Sequence, residues 1–155
     1  MNHQRRKVLK LGTVLGLALS AGILRVDQVL AATERWNEAA FEAEDIESLM
    51  EALGGDMPEE SDKIILTAPD IAENGAVVPI GVTSDLPDTT EVAILVPANP
   101  NALTAYFEIP ENSLPEVSTR IKMDGTSDVY ALVKADGKYY TNHKEVKVTL
   151  GGCGG

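Results

Sequence analysis

The stretch DVYALVKADGKYYT, residues 128–141, predicts a β-hairpin and indicates the fold class. Residues 128–134 and 138–141 contain several β-branched and aromatic side chains, which favour strands. Between the two runs, Asp136-Gly137 is a strong signal for a two-residue turn, because both residues tolerate the positive φ angles that a tight hairpin requires. We therefore expect two adjacent antiparallel strands here.

Similar short runs lie on both sides of this hairpin and are separated by turn residues. They are residues 63–67, 76–83, 91–96, 103–109, 117–123 and 143–150. In the last run, Val146, Val148 and Leu150 alternate with polar residues, which is typical of a strand with one face in solvent. Seven or eight strands within about ninety residues predict a mainly β, immunoglobulin-like antiparallel sandwich over residues 61–150.

Residues 33–60, before the predicted sandwich, contain one amphipathic helix and a hinge. Apolar residues recur at steps of three and four from Trp36 to Leu53, and acidic side chains occupy most of the other positions. Gly54-Gly55 ends this predicted helix. We expect the apolar stripe to pack on its own domain or on a partner subunit. The acidic face is expected to be solvated, with a docking role left open.

The chain is acidic, which disfavours one large class of function. Its 155 residues contain 13 Lys and Arg against 24 Asp and Glu, a formal charge of −11. Five of the basic residues and one acid precede Thr33, so the remainder carries a formal charge of −15. Nucleic-acid binding needs a basic face, so we expect no such partner. Two His and one Cys are too few for a self-contained zinc, haem or iron–sulfur site.

Residues 1–32 have the three parts of an export signal. Arg5 and Arg6 lie in a positive region, residues 11–24 are uncharged, and residues 29–32 supply small side chains for cleavage. The uncharged stretch has 14 residues, fewer than the roughly 18 of a membrane span. The paired arginines resemble a twin-arginine signal, with an ordinary secretory signal as the alternative. We expect a periplasmic protein without a stable membrane anchor.

The chain ends in GGCGG, residues 151–155, and this ending carries the predicted chemistry. Cys153 is the only cysteine, so it cannot form a disulfide within the chain, and an intermolecular bond or a reactive thiol is implied. Glycine on both sides makes a flexible, thin arm that can enter a narrow channel. Three extended residues beyond Leu150 place the sulfur about 10 Å from the last predicted strand.

The sequence around Cys153 offers no activating group. The nearest charge in the sequence is the C-terminal carboxylate, which disfavours the thiolate, and no base or oxyanion donor is fixed beside the sulfur. A partner must therefore supply the activation. Besides a carrier of reactive sulfur, three alternatives stay open: a frayed tail, an adaptor whose Cys153 forms a disulfide to another chain, and a thiol enzyme such as a peroxidase or rhodanese-like transferase.

Five stretches of the chain carry a resemblance to a known family. They are GGCGG at 151–155, SDKI at 61–64, APDIAENGAVVP at 68–79, VSTRIKM at 117–123 and KEVKVT at 144–149. Together with the export signal, they are similar to the SoxY family, the sulfur-carrier subunits of the periplasmic Sox thiosulfate-oxidising system. The ending and residues 68–79 are the most specific part of this resemblance.

The resemblance implies a carrier that is not catalytic alone and binds no cofactor. Cys153 would hold the sulfur intermediates covalently, and the carrier arm would consist of Gly151, Gly152, Gly154 and Gly155. The implied partners are a SoxZ-like subunit in a heterodimer, the haem enzyme SoxAX, the hydrolase SoxB and, in some organisms, the sulfane dehydrogenase SoxCD. SoxAX would couple thiosulfate to the thiol, and SoxB would release sulfate.

Overall fold

The computed structural model of the protein describes residues 37–151. These residues form two short helices followed by nine strands. The elements are α1 Glu38–Glu42, α2 Ile46–Leu53, β1 Glu59–Glu60, β2 Ile64–Thr67, β3 Ile71–Ala72, β4 Val78–Ser84, β5 Thr89–Leu95, β6 Leu103–Glu108, β7 Glu116–Ile121, β8 Ser127–Ala135 and β9 Lys138–Val148. The predicted mainly β fold, with helix before the strands, is confirmed.

The strands form two sheets that pack face to face. The larger sheet has the order β1-β9-β8-β5-β6, and the smaller sheet has the order β2-β4-β7. All long neighbours are antiparallel, as predicted. The two-residue strands β1 and β3 were not predicted, and both pair in parallel with the outer edge of β9. Two residues are too few to show any periodicity in the sequence.

The central strands β5 and β8 are covered on both faces. In β8, Val129, Ala131 and Val133 belong to the core between the sheets, whereas Leu132 belongs to a second core beneath the helices. Successive side chains of a strand point to opposite faces, so each face of β8 contributes to a different core. The helical segment is therefore a third layer, and its apolar stripe packs on its own domain, one of the two predicted outcomes.

The predicted single helix is wrong in one respect, because the described part contains two helices with a break between Glu42 and Ile46. Asp45 has an extended backbone, with φ −144° and ψ 178°, and its carboxylate accepts a hydrogen bond from the Ser48 N–H at 2.8 Å. An Asp side chain competes with the helix for backbone donors, so it starts a new helix instead of continuing one. The capped helix α2 buries Leu49 and Met50. Burial of each of these side chains contributes about 1.5–3 kcal/mol to the free energy of folding.

The two predicted glycine and turn signals have the expected geometry. Gly54 caps α2 at φ 68°, and Asp136 and Gly137 have φ values of 49° and 74° between β8 and β9. The strands 138–141 and 143–150 that the sequence predicts are one continuous strand. No break occurs because Asn142 keeps its place opposite Ala131 in the ladder, while its side chain donates to the Ile64 carbonyl oxygen at 2.7 Å.

Candidate functional site: the root of the C-terminal arm

Gly151 is the last described residue, and it lies just beyond the end of β9. Cys153, with Gly152, Gly154 and Gly155, lies outside the described residues, as do Arg5 and Arg6 of the predicted signal. The structure therefore shows the place where the predicted carrier arm begins. We call residues 148–151 the arm root. Two other segments of the chain hold it, residues 70–75 and residues 122–126.

The first segment holds the arm root along the outer edge of β9. The Thr149 N–H donates to the Ala72 carbonyl oxygen at 3.1 Å, and its hydroxyl donates to the Glu73 carbonyl oxygen at 3.0 Å. The Gly75 N–H then donates to the Leu150 carbonyl oxygen at 2.7 Å. These bonds extend the β3–β9 pairing, so the backbone is fixed up to Leu150.

The second segment approaches the same residues from the β8 side. The Thr126 hydroxyl oxygen accepts a hydrogen bond from the Val148 N–H at 3.0 Å. A Cβ atom built on Gly151 would overlap the backbone carbonyl oxygen of Asp124. Gly75 links the two segments, because its carbonyl oxygen accepts a hydrogen bond from the Met123 N–H at 2.8 Å.

An ion pair reinforces β3–β9 pairing just before the arm root. Lys144 Nζ lies 2.9 Å from Asp70 Oδ1 and donates to the Ala68 carbonyl oxygen at 2.6 Å. The hydrogen bond from Lys144, followed by its positive charge, holds the pKa of Asp70 below its ordinary value. The Asp70 carbonyl oxygen also accepts a hydrogen bond from the Lys147 N–H at 3.0 Å.

The described surface beside the arm root is open to solvent. The neighbouring recess, with a volume of about 330 Å³, is open and is lined by Asp70, Ile71, Glu145 and Lys147. Residues 37–151 contain no group of three or more His, Cys, Asp or Glu side chains that could hold a metal ion. Neither described helix has the length and apolar character needed to cross a membrane.

Sequence reasoning identified the thiol but missed the residues that hold the arm root. None of Gly75, Asn99, Asp124 and Thr126 is among the site residues that the sequence predicts. Val148 and Thr126 are 22 positions apart, and Thr149 and Glu73 are 76 positions apart. The one available signal is the resemblance of residues 68–79, which contain Gly75. His143 is exposed on β9, and its ring stacks on the Tyr130 ring with the ring centroids 5.2 Å apart.

Comparison with known proteins identifies the family. The model of the family described as "Sulfur oxidation protein SoxY" matches residues 49–153. Among solved structures, the sulfur carrier protein SoxY from Chlorobium limicola f thiosulfatophilum is 38% identical, and the match covers 67% of this chain and 94% of that chain with a TM-score of 0.60.

A superoxide reductase (neelaredoxin) from Ignicoccus hospitalis is 16% identical over 56% of this chain and 80% of that chain, with a TM-score of 0.49. No curated protein matches the sequence. The SoxY match covers most of the chain, and the Chlorobium protein is covered almost completely. The chain therefore belongs to the SoxY family, whose members are sulfur carriers of the Sox system and not enzymes on their own.

Proposed function

We propose that this chain is a periplasmic carrier that holds thiosulfate-derived sulfur covalently on Cys153 and presents it to the enzymes of the Sox system. Export would use the twin-arginine pair Arg5-Arg6, and a SoxZ-like subunit would be its stable partner. The carrier arm, residues 151–155, would bring the sulfur to each enzyme in turn. The chain itself would bind no cofactor.

One observation carries this proposal: the family match runs to Cys153, and residues 148–150, just before it, are held by hydrogen bonds to the sandwich. Among the described residues, the backbone bond nearest to Cys153 joins the Gly75 N–H to the Leu150 carbonyl oxygen. Three extended residues beyond Leu150 reach about 10 Å. Glycine flanks Cys153 on both sides, so no neighbouring side chain would obstruct its entry into a partner's active site.

The proposed chemistry begins with two steps on the sulfur of Cys153. First, the thiol loses a proton, its sulfur bonds to the outer sulfur of thiosulfate, and two electrons pass to the haem enzyme. The product is a cysteine S-thiosulfonate. Water then cleaves the bond between the sulfonate and the neighbouring sulfur, which releases sulfate and two protons and leaves a persulfide on Cys153. The sulfane dehydrogenase would then take six electrons from the outer sulfur of the persulfide, while water supplies three oxygen atoms and protons are released. Hydrolysis of the resulting S-sulfonate would release sulfate and restore the thiol.

The arm root supports the expectation that partners activate the thiol. Among the described residues, the direct hydrogen bonds that hold it use backbone amides, backbone carbonyls and the hydroxyls of Thr126 and Thr149. The charged side chain nearest to Gly151 is the Asp124 carboxylate, whose Oδ1 lies 3.9 Å from a Cβ built there. A carboxylate does not stabilise a thiolate, so the cation or metal that does so must come from an enzyme.

Intact mass spectrometry of the exported protein, purified without reductant, tests the proposal. We expect masses of sulfur or thiosulfonate on the Cys153 peptide after thiosulfate feeding, and we expect a thiol reductant to remove them. A persistently unmodified thiol, or a disulfide to a second protein in place of the adduct, would reject the carrier and favour the adaptor. Cleavage after the small residues 29–32 in the same spectrum would support export.

A further inference from the structure

The side chain of Asn99 holds the loop that meets the start of the carrier arm. Asn99 lies half-buried between β5 and β6, and both polar atoms of its amide are used. Nδ2 donates to the Lys122 carbonyl oxygen at 2.8 Å, and Oδ1 accepts from the Asp124 N–H at 2.9 Å. This pair of bonds fixes the backbone of residues 122–124 as a neighbouring strand would. Asp offers no donor in its ionised form, and Ala offers neither group.

The Asp124 backbone, fixed in this way, lies directly against Gly151. A Cβ atom on Gly151 would overlap the Asp124 carbonyl oxygen, and backbone atoms cannot move aside as a flexible side chain can. Gly151 does not have the positive φ that Gly54 and Gly137 have. Its backbone conformation is therefore open to any residue, and only the close approach of Asp124 requires glycine here. Gly151 is thus a packing glycine, in contrast to the hinge role that the GGCGG pattern suggests.

We propose that Asn99, the Asp124 carbonyl group and Gly151 form an exit clamp that fixes where the carrier arm leaves the sandwich. Asn99 and Gly151 act as positioning residues for Cys153, and neither of them touches the sulfur substrate. This inference rests on the proposed function only in taking Cys153 as the carrying thiol. The clamp makes Gly151 the point at which the sandwich fixes the start of the arm.

A fixed exit point has a direct consequence for turnover by several enzymes. Each enzyme must bind the sandwich and receive the sulfur in the same encounter. If the arm starts from one place, a surface that docks beside the arm root meets the sulfur at a constant reach. If the first residue of the arm has no fixed position on the sandwich, part of the binding free energy is spent on ordering the arm, and the reacting atoms are misplaced.

Distance measurement by pulsed electron spin resonance tests the clamp without any sulfur chemistry. One spin label is attached to Cys153, and a second is attached at the exposed far end of β9 through Lys138→Cys. At about 3.3 Å per residue, the labels should lie roughly 35–50 Å apart. Clamp variants are Gly151→Ala and Asn99→Ala. Matched controls are Gly125→Ala, where a Cβ meets nothing within 4 Å, and Asn101→Ala, whose side chain bonds Phe41 instead.

We expect both clamp variants to broaden or shift the distance distribution, while both controls keep that of the parent. The rate of alkylation of Cys153 by a small reagent should stay within about twofold of the parent, because neither substitution changes the thiol or adds a charge, whereas kcat/KM with the Sox enzymes should fall about tenfold or more. If Asn99→Ala fails to fold, Asn99→Asp retains the acceptor for the Asp124 N–H and loses the donor to the Lys122 carbonyl oxygen and the Thr104 hydroxyl. It places a carboxylate oxygen against the Lys122 carbonyl oxygen and should also broaden the distribution.

A clamp variant with the same distribution as its control would overturn the proposal. This result is separable from failure of the proposed function. Sulfur adducts on Cys153 together with unchanged distributions would overturn the clamp alone. Broadened distributions together with full turnover by Cys153→Ser would support the clamp and reject the carrier function.

Discussion

The two ends of β9 are built in different ways. At its N-terminal end, Asp136 and Gly137 turn the chain back from β8, with both φ values positive. Every residue that makes this turn is adjacent in sequence. At its C-terminal end, the arm root is held by hydrogen bonds to residues between 22 and 77 positions away. The hairpin end is thus specified locally, whereas the arm end exists only after the sandwich has formed.

The ion pairs near these two ends of β9 differ in how far they are exposed to solvent. Near the hairpin, Lys134 Nζ lies 2.9 Å from Glu91 Oε1, and the two side chains are only 29% and 20% exposed. Near the arm, Lys144 and Asp70 are equally close but are 37% and 89% exposed. Water and salt screen exposed pairs, so the hairpin pair should contribute more to stability. If Cys153 carries the sulfur, as we propose, the arm end provides the chemistry and the hairpin end provides stability. The following variants test that division.

The largest expected effect is at the arm end. Cys153→Ser should abolish thiosulfate-dependent turnover by the reconstituted Sox enzymes, because it removes the sulfur to which the substrate bonds. Thermal unfolding should be unchanged, since Cys153 belongs to neither of the two described cores. The measurements are thiosulfate consumption and melting temperature, and sustained consumption would contradict the prediction.

Moving the thiol from the arm end to the hairpin end of β9 makes the test of Cys153 more specific. The double variant Cys153→Ser, Lys138→Cys places one exposed cysteine at the hairpin end. It should react with a small alkylating reagent and still fail to support turnover, because no glycine arm carries it into an enzyme. Turnover by this variant would mean that exposure alone suffices and that the arm end has no special role.

The second effect concerns stability at the hairpin end. Glu91 accepts hydrogen bonds from Lys134 and from the Tyr139 hydroxyl at 3.1 Å. Glu91→Ala leaves both donors without this acceptor and should lower the free energy of unfolding by about 2 kcal/mol. Burial, and then the Glu91 charge, raises the pKa of Tyr139, so the variant should also ionise this tyrosine at lower pH. Urea unfolding and tyrosinate absorbance measure the two results.

An unchanged unfolding free energy in Glu91→Ala would show that the hairpin pair is as weak as an exposed one. Lys138→Ala serves as the control, because this exposed neighbour forms no ion pair within residues 37–151. The control should change stability by less than about 0.5 kcal/mol.

Local sequence signals predicted much of the fold because they act over few residues. Asp136-Gly137 gave the hairpin, and Gly54 gave the end of α2 through its positive φ. The break at Asp45 was missed because its capping bond to Ser48 interrupts a helix pattern whose apolar spacing continues across it. The parallel strands β1 and β3 were missed because their pairing with β9 depends on tertiary contacts.

For the candidate site, the sequence predicts a chemistry but not the residues that hold the arm root. A single cysteine among glycines predicts a reactive thiol without any knowledge of the fold. By contrast, the neighbours of Gly151 lie in segments that the sequence pattern treats as separate turns. Nothing in residues 97–100 indicates that Asn99 would bond to Lys122 and Asp124. Such non-local contacts follow from the packing of the sandwich, and short-range periodicity does not encode them.

The third effect compares two glycines at the two ends. Gly137→Ala places a side chain at φ 74° and should cost about 1 kcal/mol of unfolding free energy. Gly125→Ala, in the loop before β8, meets nothing within 4 Å and has no positive φ, so it should be neutral or stabilise by up to about 1 kcal/mol. Thermal unfolding of both variants checks the difference. If Gly137→Ala loses no more unfolding free energy than the neutral control Gly125→Ala, the hairpin turn tolerates alanine by changing its type.

The smallest effect is a pH dependence at the arm end. The hydrogen bond and charge of Lys144 lower the pKa of Asp70 in the folded protein from its ordinary 3.8. Its stabilising contribution is therefore present above pH 3.8 and is lost as the pH falls through the folded value. Asp70→Asn should melt slightly below the parent at neutral pH and low salt, and the two should converge in acid. Because Asp70 is exposed, high salt should also remove the difference. A difference that persists in acid and in high salt would show that the arm-end pair is not screened and would remove the contrast with Glu91–Lys134.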